Sequence, residues 1–317
     1  MTDHDVFRPP EKLYPFASHW LEIAGHRMHF LDEGPRDAPI VLMVHGNPTW
    51  SFYYRKLVLA LRDRYRCIVP DHIGCGLSDK PGDDAYDYTL SQRVSDLGAL
   101  MDHVQAQSPI HLVVHDWGGM IGFGWAARQP ENIASMVVAN TAAFPLPKEK
   151  NLPAALWLVR NTVVGAVLVQ GLNAFSILAA RVAFKKPVSA EVRKAYTGPY
   201  DSWANRIATL RFVQDIPLSS ADPAWGIVAS TEARLPDFAA KPCLLAWGEK
   251  DFVFDLHFLN KWKHIFPQAT VLSFPDCGHY VFEDAGETLT RAVSNFLDAN
   301  ESAAREPARN EPGTTTN

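Results

Sequence analysis

Short, continuous apolar runs recur along the chain, at His19 to Ile23, Arg27 to Asp32, Ile40 to His45, Cys67 to Pro70, Ile110 to His115, Ala134 to Ala139, Cys243 to Trp247 and Thr270 to Phe274. Most lack the polar alternation of a half-exposed strand, which is what a mainly parallel sheet covered by helices on both faces requires. Helical spacing of apolar positions falls between them, at Tyr53 to Leu61, Ser91 to Val104, Gly118 to Arg128, Leu256 to Ile265 and Glu287 to Leu297. Alternating strands and helices predict an α/β protein built on a mostly parallel, doubly wound, eight-stranded sheet.

The alternation fails between Phe144 and Pro236, where Trp, Leu, Val, Phe and Ala recur at helical spacing without convincing strands. That segment reads as a helical cap inserted after a strand at the carboxyl edge of the sheet, placed to enclose an apolar pocket against the core. Most of its apolar residues are expected to pack the cap's own interior, with a minority lining the cavity. The organisation that follows is a first core segment over 1–143, the cap over 144–236, a second core segment over 237–299 and a disordered tail over 300–317. The tail is rich in Glu, Ala, Arg, Pro and Thr and has no apolar period.

Composition narrows the class. The chain has 317 residues, 47% of them hydrophobic and 21% charged, with a net charge of −5. Lys and Arg are scattered, so neither nucleic acid nor an anionic surface is indicated by charge alone. Cys67, Cys75, Cys243 and Cys277 are widely spaced and read as reduced thiols, with no Cys/His set at metal spacing. The start at Met1 lacks the basic and apolar regions of a secretory signal, and no apolar run is long enough for a transmembrane segment, so a cytoplasmic location is expected. Function is therefore sought in a pocket.

Candidate chemistry concentrates at Val113-Val114-His115-Asp116-Trp117-Gly118-Gly119-Met120, where a β-branched run meets a carboxylate and then a glycine pair that opens a helix. A sharp strand-to-helix turn holds one side chain out of the sheet and gathers N–H groups beside it. Asp116, ionised at neutral pH, needs no base before it attacks saturated carbon or a strained ring. The plainer reading is an N-cap for the following helix. Two later strand ends supply partners: Asp251 in Gly248-Glu249-Lys250-Asp251 and His279 in Pro275-Asp276-Cys277-Gly278-His279. Asp251 alone also reads as a cap for the helix at Leu256. The order nucleophile, acid, histidine is that of α/β-hydrolase triads. His45-Gly46-Asn47-Pro48-Thr49-Trp50 follows the third strand and provides N–H donors for an anion from Asn47, with Trp117 as the second. Asp71-His72-Ile73-Gly74-Cys75-Gly76-Leu77-Ser78-Asp79 lacks the spacing of a dinucleotide loop and reads as a tight loop under the site, so no cofactor and no metal is implied.

Taken together, the stretches His45 to Trp50, Asp71 to Pro81 and His115 to Gly119 resemble the haloalkane dehalogenase family of α/β-hydrolases, over about Tyr14 to Leu297. The cap border, Asn140 to Pro147, with Asn173-Ala174-Phe175, Tyr200 to Trp203 and Arg211 to Leu218, looks closest to the β-lactone decarboxylases of bacterial long-chain olefin biosynthesis. The resemblance carries the nucleophile onto Asp116, the base onto His279, the acid onto Asp251 and the anion-binding pair onto Asn47 and Trp117. Some dehalogenases take the acid from a Glu after the strand preceding the cap. Ala139-Asn140-Thr141 offers no carboxylate there, which leaves Asp251.

The expected reaction is decarboxylation of a cis-dialkyl β-lactone to an alkene, with dehalogenation of alkyl halides as the alternative. Epoxide hydrolysis needs two cap tyrosines, for which only Tyr196 and Tyr200 are available. A binding protein of the same fold would tolerate a degenerate triad. The expected partner is a small apolar substrate with long alkyl chains, and the resemblance implies association with other olefin-pathway enzymes.

Overall fold

The computed structural model describes residues 7–106 and 109–305. Among them, eight strands form one sheet: β1 (His19–Ile23), β2 (His26–Glu33), β3 (Ile40–Val44), β4 (Arg66–Pro70), β5 (Ile110–Asp116), β6 (Ile133–Thr141), β7 (Cys243–Gly248) and β8 (Thr270–Phe274). Their spatial order is β1-β2-β4-β3-β5-β6-β7-β8. The pairs β1–β2 and β2–β4 are antiparallel, and every pair from β4 to β8 is parallel.

The apolar runs are continuous because the two faces of each central strand meet different helices. In β3, Ile40, Leu42 and Val44 join one buried cluster while Val41 and Met43 join another; in β5, Leu112 and Val114 lie on the first side and Val113 on the second. Helices α1 (Arg55–Leu61), α2 (Leu90–His103) and α3 (Trp117–Ala126) follow β3, β4 and β5 respectively. The edge strand β8 lacks that double cover, and Thr270, Val271 and Ser273 are exposed.

Between β6 and β7 run α4 (Ala154–Asn161), α5 (Val163–Leu172), α6 (Ala174–Val182), α7 (Ala190–Thr197), α8 (Ile207–Gln214) and α9 (Trp225–Arg234). After β7 come α10 (Leu256–Ile265), then α11 (Val281–Asp284) and α12 (Gly286–Arg305) behind β8. The chain stays helical to Arg305, so 300–305 of the tail expected to be disordered are helix, and 306–317 lie outside the described residues.

One expectation for the cap fails over its first three helices. Its own buried cluster holds only Val159, Val169, Leu210 and Val213, with Leu156, Ala166, Phe175 and Ile216 packed at its margin. Most of the remaining apolar residues of α4, α5 and α6 line a cavity or face outward. Helical periodicity identified the apolar positions but carried no information on what they would meet.

Candidate active site

Every polar group of the site sits where a parallel strand ends. Asp116 closes β5 with φ 53° and ψ −128°, a backbone state outside the ordinary L-residue regions that throws its side chain off the sheet. Glycine is needed on both sides of this turn. A Cβ at Gly46 would overlap the Asp116 carboxylate, and one at Gly118 would overlap the Val44 carbonyl. Asp116 does not cap α3: its side chain makes no capping bond, and its main-chain carbonyl accepts from the Thr141 hydroxyl. Instead, the Asn47 N–H donates to Oδ1 at 2.6 Å, and His279 Nε2 lies 3.5 Å from Oδ2.

His279 lies beyond β8, and its Nδ1–H donates to Asp251 Oδ2 at 2.8 Å. Asp251, just past β7, is buried and accepts also from the Val253 N–H at 2.8 Å and from Asn140 Nδ2 at 3.0 Å. The helix at Leu256 is capped by Asp255, not by Asp251, because it is Asp255 that accepts from the His257 N–H.

Asn140 is the residue that sequence reasoning passed over as merely lacking a carboxylate. It stands at φ 36°, where the pairing of β5 with β6 skips from His115↔Ala139 to Asp116↔Thr141. Such a bulge re-aims a side chain. Here the amide donates to Asp251 and to the Gly248 carbonyl, and its Oδ1 accepts from the Gly248 N–H at 2.8 Å. An amide can satisfy both partners at once, which a carboxylate at this position cannot. The only signal in the sequence was a polar pair, Asn140-Thr141, at the end of an apolar strand.

Charge is distributed unevenly over two adjacent histidines. Burial alone would strip His279 of its proton, but Asp251 and Asp116 on either side outweigh it and hold the imidazolium up to about 10. His115, 4.7 Å away between ring centroids, is pushed down to about 3 by burial and by the charge on His279. Its Nε2–H donates to the His279 carbonyl, so the neutral ring anchors the loop that bears His279 without competing for the proton. Burial would raise the Asp116 carboxyl, but contacts from His279, with the Asn47 N–H adding to them, lower it below the ordinary value. At rest the site is an imidazolium between two carboxylates.

These groups face a cavity of about 250 Å³ whose wall is almost entirely carbon. Asn47, Asp116, Trp117 and His279 stand at its floor, and Leu156, Val159, Leu168, Val169, Phe175 and Ala179 from the cap form its roof. Asn47 Nδ2 donates to the Thr209 carbonyl of α8 at 3.0 Å, which ties this loop to the cap and fixes the amide plane. Asn47 thus contributes a main-chain N–H already spent on Asp116, leaving its second amide N–H for a ligand. The Trp117 indole lines the cavity beside it. Asp71 braces the floor from below, accepting from the Ser51 and Leu77 N–H groups and from His29. Asp116, His279, Asp251, Asn47 and Trp117 are therefore all brought together. Tyr196 and Tyr200 are not: Tyr196 donates to Glu283, Tyr200 lies 3.5 Å from the Thr49 carbonyl, and neither lines the cavity.

The profile of the alpha/beta hydrolase fold matches residues 39–286. A cis-3-alkyl-4-alkyloxetan-2-one decarboxylase of Shewanella oneidensis is 54% identical, over 93% of this chain and 92% of its own length. A protein of the same description from Xanthomonas campestris is 50% identical, over 90% of this chain and 98% of its own. Among solved structures, haloalkane dehalogenase DbeA of Bradyrhizobium superposes with a TM-score of 0.83 at 27% identity, covering 91% of this chain and 99% of that one.

Proposed function

The chain belongs to the alpha/beta hydrolase family, and from that premise we propose that it decarboxylates cis-3,4-dialkyl β-lactones to cis-alkenes, with Asp116 as nucleophile. The observation that carries the reading is the buried, ionised Asp116 opening into an apolar cavity, in a chain 54% identical to a decarboxylase of such lactones. Support for a lactone over an alkyl halide comes from the drop to 28–32% identity in the haloalkane dehalogenases of Mycobacterium and Mycolicibacterium.

The chemistry follows from the ring. One Asp116 oxygen attacks the ring carbon bonded to oxygen, from the side opposite that oxygen, and the carbon–oxygen bond breaks to release a carboxylate. In this reading the second amide N–H of Asn47 and the Trp117 indole N–H, from two residues that line the cavity, receive its charge. In the adduct the new carboxylate lies anti to the ester bond. Loss of CO2 sends its bonding pair into a C=C double bond, while the ester bond breaks and Asp116 recovers its charge. Inversion followed by anti elimination keeps the alkyl groups cis. Attack at the carbonyl would instead leave an alkoxide and an anhydride, with no free carboxylate to expel.

No water and no net proton enter this cycle. His279, protonated at rest, holds the Asp116 charge low and so helps it depart in the second step, while Asp251 and Asn140 orient the ring. In a dehalogenase-type reaction the same histidine must act as a base; esterifying Asp116 would remove one of the two charges that retain its proton.

The experiment offers the purified protein a cis-dialkyl β-lactone and, separately, a bromoalkane, following alkene by gas chromatography and bromide by ion assay. Cis-alkene as the main product is expected. Rapid bromide release without alkene, or a β-hydroxy acid in place of alkene, would replace this reading with a hydrolytic one.

A further inference from the structure

The outer side of the cap, like its inner side, exposes large apolar side chains. Helix α5 carries no charged residue, yet Val163 is 81% exposed and Leu172 67%, with Val164 and Val167 also exposed. A surface helix that is apolar all round is unpartnered in the isolated molecule. Trp157 on α4 and Leu178 on α6 are half-exposed beside it, and Trp203 packs near Gly171 of α5 while remaining half-exposed itself. Among the described residues no single helix is long and apolar enough to cross a membrane; α4 and α5 reach that composition only jointly, and they meet at 96°. A bent apolar pair framed by indoles suits the plane of a bilayer interface, not its interior.

Charge and cavity point to the same surface. Between Lys148 and Lys186 the chain holds six Lys and Arg against Glu149 alone, a net +5 on a chain whose total is −5. Lys150, Arg160 and Lys186 pair with Asp255, Asp222 and Asp276, whereas the side-chain cations of Lys148, Arg181 and Lys185 form no ion pair among the described residues, the Lys185 ammonium donating to the Val182 carbonyl and only its backbone N–H meeting Asp284. Arg181 lies one turn from Ile177 and Leu178 on α6. Leu158, Leu178 and Phe252 are each exposed on the outside and also line the cavity, so its mouth opens within the apolar face. A cavity of about 250 Å³ that opens at this mouth gives an alkyl chain a route between the pocket and the outer apolar face.

We propose that the outer faces of α4, α5 and α6 dock this protein on an anionic lipid bilayer, so that alkyl substrate and product pass between membrane and cavity without crossing water. What passes rests on the proposed function; docking itself does not. The apolar residues supply burial in the headgroup layer and the basic rim supplies attraction to anionic lipid, worth about fivefold in partition per cation.

Purified full-length protein is floated with vesicles of phosphatidylcholine alone or with phosphatidylglycerol added, at low and high salt, with no substrate present. Co-flotation with the anionic vesicles, weakened by salt, is expected. A V163D/V167D double variant should lose it at least about tenfold and R181E/K185E should lose most of it, both with unchanged melting temperature and unchanged turnover of a short-chain lactone. Absence of flotation would overturn the proposal, as would self-association of the wild type, seen by light scattering, that V163D/V167D abolishes, since a second copy would then cover the face. Vesicle binding without any lactone turnover would keep the docking surface and discard the proposed reaction.

Discussion

The carboxyl edge of the sheet and the cap above it face the same cavity but are held in opposite ways. At the edge, each polar side chain is gripped by other elements: Asp251 by His279, Asn140 and the Val253 N–H, Asp116 by Asn47 and His279. The cap roof meets the cavity with carbon, and its private core is four buried residues. Polar geometry of a few ångströms has to be over-determined to survive thermal motion, whereas an apolar roof only has to exclude water and match a shape. Under the proposed function the difference assigns the reaction to the edge and the choice and delivery of substrate to the cap.

Substitution at the edge should therefore abolish turnover, with the largest effect at Asp116. Asp116→Asn is expected to cut alkene formation about 10⁴-fold or more, measured by gas chromatography, with the melting temperature held. Retention of even a tenth of the activity would take the nucleophile's role from this residue. Substitution in the roof should act on preference instead: Leu168→Trp shortens the cavity, and kcat/KM for a long-chain lactone should fall on the order of tenfold to a hundredfold while a short-chain lactone is turned over as before. Equal losses for both substrates would mean that the cap also sets the chemistry.

Asn140→Ala sharpens the contrast from the other side. It removes a donor to Asp251 and two bonds to Gly248, so stability should drop by roughly 1–3 kcal/mol and kcat by about tenfold, with chain-length preference unchanged. Denaturant titration and steady-state kinetics on two lactones check it.

The smallest effect is electrostatic. Nitrogen-detected NMR of labelled histidines should find His279 doubly protonated at pH 8 and His115 neutral down to pH 5, because two carboxylates hold the first proton and burial beside that charge excludes the second. In Asp116→Asn, His279 should titrate at lower pH, having lost one of its two counter-charges. The raised value also predicts stability: His279 binds its proton more tightly folded than unfolded, so its contribution is full below about pH 6.5 and is lost as pH rises through about 10. His115 acts with the opposite sign, its contribution fading as pH falls from about 6.5 through about 3. A His279 that titrates near the ordinary value would show that the edge is less tightly coupled than its distances imply.

Each central strand could be read from the chain because both of its faces are buried, which writes a continuous apolar run into the sequence. The catalytic candidates were legible for a related reason: a carboxylate or imidazole at a strand's end or within a few residues of it stands at the sheet's carboxyl edge, and Asp116, Asp251 and His279 all do so in the expected order, His279 after the half-exposed edge strand β8. Asn140 was not legible, because its role comes from a register shift between β5 and β6, and a shift is a property of two strands together. Nor was the fate of the cap's apolar residues, since the helical period marks an apolar face without saying whether protein, cavity or solvent lies against it.

The sequence by itself determined the strands, the turn that bears Asp116 and the order of Asp116, Asp251 and His279 at successive strand ends, since these depend on local steric preference and burial. Only the tertiary structure decided that Asp251 is held by an asparagine from the neighbouring strand, that one histidine is charged while the next is neutral, and that the cap carries apolar side chains on its outer face as well as around the cavity. Those depend on distances between segments far apart in the chain, and Coulomb interaction, desolvation and packing all act through space.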